Sequence, residues 1–324
     1  MRHSRLCLAF ASVALWSGVA GAQDYPARPI TLIIPFAAGG PTDVLGRVMA
    51  ARMSEILGQQ VTVENVAAGG GQVGSRRVAD AKPDGYTVGL GTVGTHAQGQ
   101  TLYKKPLYNS ATDFTPVVLI ADVPIVLAGR KDLPVKDMQE FVAYTKKNQS
   151  KMSYGTGGTG SAPHLGCMLL NHTLGTDVTH VPYRGTGPAT QDLLGGRIDF
   201  MCGGITTVKP LIENGSLKGL AVFSGARSPA MKNLPTAVEQ GVKVEAYTWN
   251  ALFLPKDAPA AVVQKLNAAA VAAMNTPAVR EKLGALGAQV VSDAQATPQY
   301  LAQFVKSETE KWAGPIRASG MQVE

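Results

Sequence analysis

The chain has 324 residues, 45% hydrophobic and 16% charged, with 36 Gly and 20 Pro, so it can bury a large core and is too apolar to be disordered. Its Gly and Pro content lies below the roughly 25–30% of low-complexity chains, which excludes collagen-like and linker readings, and the length implies about two domains. Net charge is +7, yet Lys and Arg cluster no further than pairs such as Arg76-Arg77. No basic stripe exists to track a phosphate backbone, and no nucleic acid is expected as partner.

Residues 1–22 read as a secretory signal peptide: Arg2 and Arg5 precede the apolar run Leu6 to Trp16, and Ala20-Gly21-Ala22 is a small-residue cleavage pattern. The run falls short of the roughly 17 residues that a membrane-spanning helix needs. The expected location is therefore the periplasm. Cleavage removes Cys7, which stands at the start of the apolar run, away from the cleavage point, and is not placed to carry a lipid. Cys167 and Cys202 remain and allow one disulfide, which the sequence alone does not decide.

Beyond the leader, strand-like and helix-like runs alternate. Ile30 to Phe36 reads as a buried strand, and Leu45, Val48, Met49, Met53 and Ile56 mark a helix that Thr42 or Asp43 can cap. Strands are expected at Val61 to Val66, Thr87 to Gly91, Val117 to Ile120, Ile125 to Ala128, Met152 to Gly155, Val178 to Tyr183, Ile198 to Cys202 and Leu217 to Ser224. Helices are expected at Gln72 to Ala81 and Val135 to Lys147, then after Pro259 and after Pro298. This pattern implies an α/β fold with mostly parallel sheets.

Glycines gather where strands give way to helices: Phe36-Ala37-Ala38-Gly39-Gly40-Pro41-Thr42-Asp43, Gly91 to His96, Gly155 to Ser161, Tyr183 to Gly187 and Cys202-Gly203-Gly204. At such places helix N-termini present unpaired N–H groups and a partial positive charge, which suits an anion. Gly89-x-Gly91-x-x-Gly94 and Gly155-x-Gly157-x-x-Gly160 match the dinucleotide fingerprint, but the acids at the right distance, Asp113 and Asp177, precede their strands. No cofactor is expected. One helix terminus contributes roughly 0.3–1 kcal/mol, less than a carboxylate's desolvation cost, so several loops must close on one anion.

Ser161 and His164 share a helix face, yet no nearby carboxylate orients the histidine and no Gly-x-Ser-x-Gly elbow occurs. A hydrolase of small esters using Ser161 is the alternative reading. His164, Cys167, His172 and His180 lack a metal-ligand spacing, and no metal is expected. Tyr183-Arg184 and Trp249-Asn250 each pair a ring with a polar neighbour after a strand-like run. Arg184 is a candidate for a second ligand carboxylate and Trp249 for a ring contact.

The residues resemble the extracytoplasmic solute receptors of tripartite tricarboxylate transporters, also called Bug proteins. The resemblance is carried by Tyr25-Pro26-x-Arg28-Pro29-Ile30, Pro35 through Asp43, Pro83-Asp84-Gly85-Tyr86-Thr87, Tyr154-Gly155 through His164-Leu165, Tyr183-Arg184-Gly185 and Gly196-Arg197-Ile198-Asp199-Phe200. It implies a type II periplasmic binding-protein fold. Two α/β lobes, residues 24–121 with 225–324 and residues 122–224, would cross over near Asp122 and Ser224 and close on an organic acid. The family's carboxylate grip maps onto Ala37, Ala38 and Thr42 in one lobe and Gly157, Gly158, Thr159 and Ser161 in the other.

Phe36, Gly39, Thr95, His96, His164, Arg184, Cys202 and Trp249 complete the expected site. Cys202-Gly203-Gly204 lacks the acidic or amide side chain many relatives place after the cysteine, which favours an acid without an amino group. The segment around Trp249 resembles the branch for aromatic acids. The implied function is capture of a dicarboxylate or aromatic carboxylate by a monomer that delivers it to membrane permease subunits; a receptor feeding a signalling partner is the third reading.

Overall fold

The computed structural model describes residues 25–318, 320, 322 and 323, so the expected leader lies outside the described residues. The chain opens with β1 (Ile30–Ile34), α1 (Pro41–Leu57), β2 (Val61–Asn65), α2 (Gln72–Ala79) and β3 (Thr87–Thr92). β1 pairs in parallel with both β2 and β3, and α1 and α2 supply the crossovers that parallel neighbours require. Its side chains are almost wholly buried because it has a strand on either side and α1 packed against it. The cap of α1 falls two residues before the first expected one, Thr42: Gly40 is the N-cap, and Pro41 loses nothing in a first turn whose N–H groups have no helical partner.

Next come α3 (Gly99–Leu102) and β4 (Phe114–Arg130), then α4 (Met138–Asn148), β5 (Ser153–Thr156), α5 (Ala162–Leu174), β6 (Thr179–Pro182) and α6 (Thr186–Leu194). β7 (Phe200–Gly204), α7 (Ile205–Glu213) and β8 (Leu217–Val222) follow. The chain returns through β9 (Tyr247–Pro255), α8 (Ala260–Met274), α9 (Pro277–Ala285), β10 (Gln289–Val290) and α10 (Pro298–Ala318). Among the described residues one 10-stranded sheet forms, in the order β2-β1-β3-β9-β4-β7-β5-β6, with β8 and β10 also paired to β4.

β4 is a single strand of 17 residues where the sequence reads two. Through Pro124 it pairs with β9 and β10, and from Ile125 with β7 and β8, so one strand belongs to both lobes. Its prolines fall where a missing N–H does least harm: Pro116 at a register shift and Pro124 at the change of partners. The expectation of mostly parallel sheets is corrected here. β4 and β9 run antiparallel to every strand they pair with, because each carries the chain between lobes without a crossover helix. Cys167 on α5 and Cys202 on β7 form a disulfide with Cα atoms 5.5 Å apart, tying helix to strand.

Candidate functional site

A narrow cavity of about 30 Å³ lies between the lobes. Phe36, Gly40, Pro41 and Thr42 form one wall, Gly157, Ser161, Ala162, Pro163, Thr186 and Gly204 the other, and Thr92, Ile125 and Thr248 the floor. Four helices aim their N-termini at this space: Gly40 caps α1, Ser161 caps α5, Gly204 caps α7, and Thr186 opens α6. No lining side chain is charged. The positive ends of the helix dipoles therefore face an uncharged, desolvated space, an arrangement suited to an anion that fits.

The lobes touch directly around the cavity. The Ala37 N–H donates to the Arg184 carbonyl at 2.9 Å, and the Tyr103 hydroxyl donates to the Thr159 carbonyl at 2.7 Å. Main chain approaches main chain so closely that side chains are excluded. A Cβ on Gly187 would stand 2.4 Å from the Ala38 carbonyl oxygen, and one on Gly70, whose φ is +60°, 2.0 Å from the Thr159 carbonyl oxygen. These contacts describe the closed arrangement of the lobes.

Asp43 fixes the first wall from inside α1. Its carboxylate accepts the Gly39 N–H at 3.0 Å, Arg47 Nε at 3.0 Å and Asn65 Nδ2 at 2.9 Å. Burial pushes its pKa up, but the bonds from Arg47, Gly39 and Asn65 prevail and hold the carboxyl below its ordinary range. Ser161 Oγ accepts the His164 N–H at 3.3 Å as the α5 cap, leaving its own proton free to donate. His164 Nδ1 accepts the Gly160 N–H at 3.1 Å, so the imidazole steadies the loop before α5 instead of serving Ser161 as a base.

The expected site residues divide into three groups. Phe36, Thr42, Gly157 and Ser161 line the cavity. Ala37, Ala38, Gly39, Gly158 and Thr159 stand at its rim in the contacts between lobes. The rest are placed elsewhere, each for a visible reason. Thr95 and His96 are buried behind β3, where His96 Nδ1 meets Thr95 Oγ1 at 2.9 Å and the ring stacks on Phe253 at 4.0 Å; burial pushes its pKa down to about 3.

His164 stacks on His180, ring centres 4.2 Å apart, and burial followed by His180 pushes its pKa down to about 3. The Arg184 side chain is exposed and only its carbonyl reaches the interface. Cys202 is buried in the disulfide, and Gly204 lines the cavity in its stead. Trp249 is fully buried on the far face of β9, its indole N–H donating to Glu308 at 3.2 Å.

Of the lining residues outside the expected site, Gly40, Pro41, Ala162 and Pro163 adjoin expected ones, and Thr92, Ile125, Thr186, Gly204 and Thr248 come from other positions. Alternation along β9 puts Thr248 on the face opposite Trp249, a signal the sequence holds once β9 is known to be a strand.

Residues 45–321 match the model of the Tripartite tricarboxylate transporter family receptor. The chain belongs to that family. A relative from Agrobacterium vitis, the UPF0065 protein in the TAR-I ttuE-ttuC' intergenic region, is 41% identical over 98% of this chain and 92% of its own length. Among solved structures, the periplasmic binding protein BugD superposes with a TM-score of 0.90 at 38% identity, covering 93% of this chain and all 100% of BugD. MatC from Rhodopseudomonas palustris, solved with bound malate, superposes with a TM-score of 0.87 at 39% identity over 90% of this chain and 99% of MatC. The fold is thus that of the periplasmic binding proteins, and like its family the chain is a solute receptor and not an enzyme.

Proposed function

We propose that this receptor works in the periplasm as a monomer, capturing a small organic acid, a dicarboxylate or an aromatic carboxylate, and delivering it to the permease subunits of a tripartite transporter. The observation that carries the reading is the convergence of four helix N-termini on one cavity without a charged lining side chain. Each terminus contributes roughly 0.3–1 kcal/mol to holding an anion and charge-assisted hydrogen bonds add roughly 1.5–3 kcal/mol each, so a carboxylate touched by both walls is held where one wall would not suffice.

Thr42 and Ser161 supply hydroxyls, the main chain of Ala37, Ala38, Gly157, Gly158 and Thr159 supplies the remaining grip, and Phe36 and Ile125 offer apolar contact. The lobes, divided near Asp122 and Ser224, close by bending at the shared strands, and only the closed state joins both walls to the acid. Bound malate in MatC, which shares this fold at 39% identity, supports the carboxylate class.

The test is a thermal-shift screen against mono-, di- and tricarboxylates, aromatic acids and amino acids. An acid at one hundred times its Kd adds about 2.7 kcal/mol of native-state stability and raises Tm by several degrees. The expected result is a shift confined to one class of acids. Indifference to every acid overturns the reading.

A further inference from the structure

One polar side chain beside the cavity has no use in the fold. Asn250, on β9, is fully buried, and neither its amide oxygen nor its amide nitrogen has a hydrogen-bond partner. Its direction follows from the strand. Trp249 and Tyr247 point to α10, where both meet Glu308, so Thr248 and Asn250 point the other way. Thr248 lines the cavity, and so does Thr92, which lies directly opposite Asn250 in the β3 pairing and shares its face. Thr92 and Thr248 flank the amide, and Ala121 of β4, opposite it on the other side, carries no side chain beyond Cβ.

We propose that Asn250 is the specificity residue of the cleft floor and selects a 2-hydroxy carboxylic acid. A carboxamide offers one acceptor and one pair of donors side by side. The group that answers both has a donor next to an acceptor: a hydroxyl donating to Oδ1 and the neighbouring carboxylate oxygen accepting from Nδ2. A plain carboxylate has no proton for Oδ1 and leaves it unpaired. An amino acid has the donor but brings a cation to a space ringed by helix N-termini with no acid among its lining residues. Sites built to bond a ligand hydroxyl reject the analogue lacking it, because their own buried polar atoms are then stranded. The inference rests on the receptor reading above and narrows its ligand.

Titration calorimetry of the mature chain against acid pairs differing by one hydroxyl tests it: malate and succinate, 2-hydroxyglutarate and glutarate, lactate and propionate, mandelate and phenylacetate. The hydroxy acid of the pair that binds is expected to be favoured by about tenfold or more. Asn250→Leu, close in size and apolar, should weaken that hydroxy acid about tenfold and leave its partner within about twofold, so the preference disappears. If Asn250→Leu does not fold, Asn250→Ser is read by the same ratio. Equal binding of both acids by the unaltered chain, or a preference that survives in the folded variant, overturns the assignment and leaves the receptor reading standing. Binding of none of these acids and no response in the wider carboxylate screen overturns both.

Discussion

The two faces of β9 show two ways of treating polar groups. On the face toward α10, one buried carboxylate, Glu308, accepts from the Tyr247 hydroxyl at 2.6 Å and from the indoles of Trp249 and Trp312, each at 3.2 Å. On the cleft face, Thr248 borders the cavity and Asn250 keeps an amide without partners. Successive residues of one strand thus serve opposite ends. The first face satisfies its donors within the chain and is built for stability; the second leaves an amide unsatisfied by the chain, which lowers stability and keeps bonding capacity for a ligand.

The largest way to break this contrast is Glu308→Ala. It strands three donors, two of them indole N–H groups in the interior, and should cost about 3–5 kcal/mol in urea unfolding while the affinity for the acid barely changes. A loss under about 1 kcal/mol would show that the face toward α10 is not held by this carboxylate.

Acid sharpens the contrast next. His96 and His164 are buried with pKa values of about 3, against an ordinary value of 6.5. Both stay neutral in the folded chain, so the unfolded chain takes up protons first. Their contribution is complete above about pH 6.5 and is lost as pH falls toward 3, at up to about 1.4 kcal/mol per pH unit for each. Asp122 runs the other way: burial, then Glu308, raises its pKa to about 6, so its contribution is present at low pH and lost as pH rises through 6. It is half-buried, and its share is the smaller. The urea midpoint should therefore drop between pH 7.5 and pH 5, and a midpoint that rises would refute the histidine account.

Much of the cleft was legible because its two main walls are local. Phe36 through Thr42 and Gly157 through Ser161 each combine a strand end, small residues and a helix start within a few positions, and that combination makes an anion-facing terminus wherever it occurs. Thr186 and Gly204 needed the third dimension, since nothing in their own segments says that α6 and α7 start at the same point in space. The sequence pairs the Trp249 ring with Asn250 as one candidate, whereas the alternation of a strand assigns the ring to α10 and the small polar residues to the cleft. The sequence shows two strand-like runs where the structure has the single β4; Pro124 falls at the change of partners, where an extended chain tolerates a missing N–H.

The finest test separates closure from folding. Gly187 lies in the first turn of α6, where alanine's better helix propensity is opposed by the clash of its Cβ with the ring of Pro188, so Gly187→Ala should shift the unfolding midpoint by less than about 1 kcal/mol in equivalent stability. In the closed arrangement, however, the new methyl would stand 2.4 Å from the Ala38 carbonyl oxygen, and the backbone there has no flexible end to yield. The lobes must stay further apart, and the acid should bind about tenfold more weakly. Gly284→Ala is the control: it lies in α9 with nothing within 4 Å of the added carbon, and it should share any gain in helix stability without touching affinity. Equal affinities for the two variants would mean that the close approach of Gly187 to Ala38 is not needed to hold the ligand. Stability intact with affinity lost is the reverse of the pattern expected for Glu308→Ala, and together they assign folding to the α10 face of β9 and capture to the contact between the lobes.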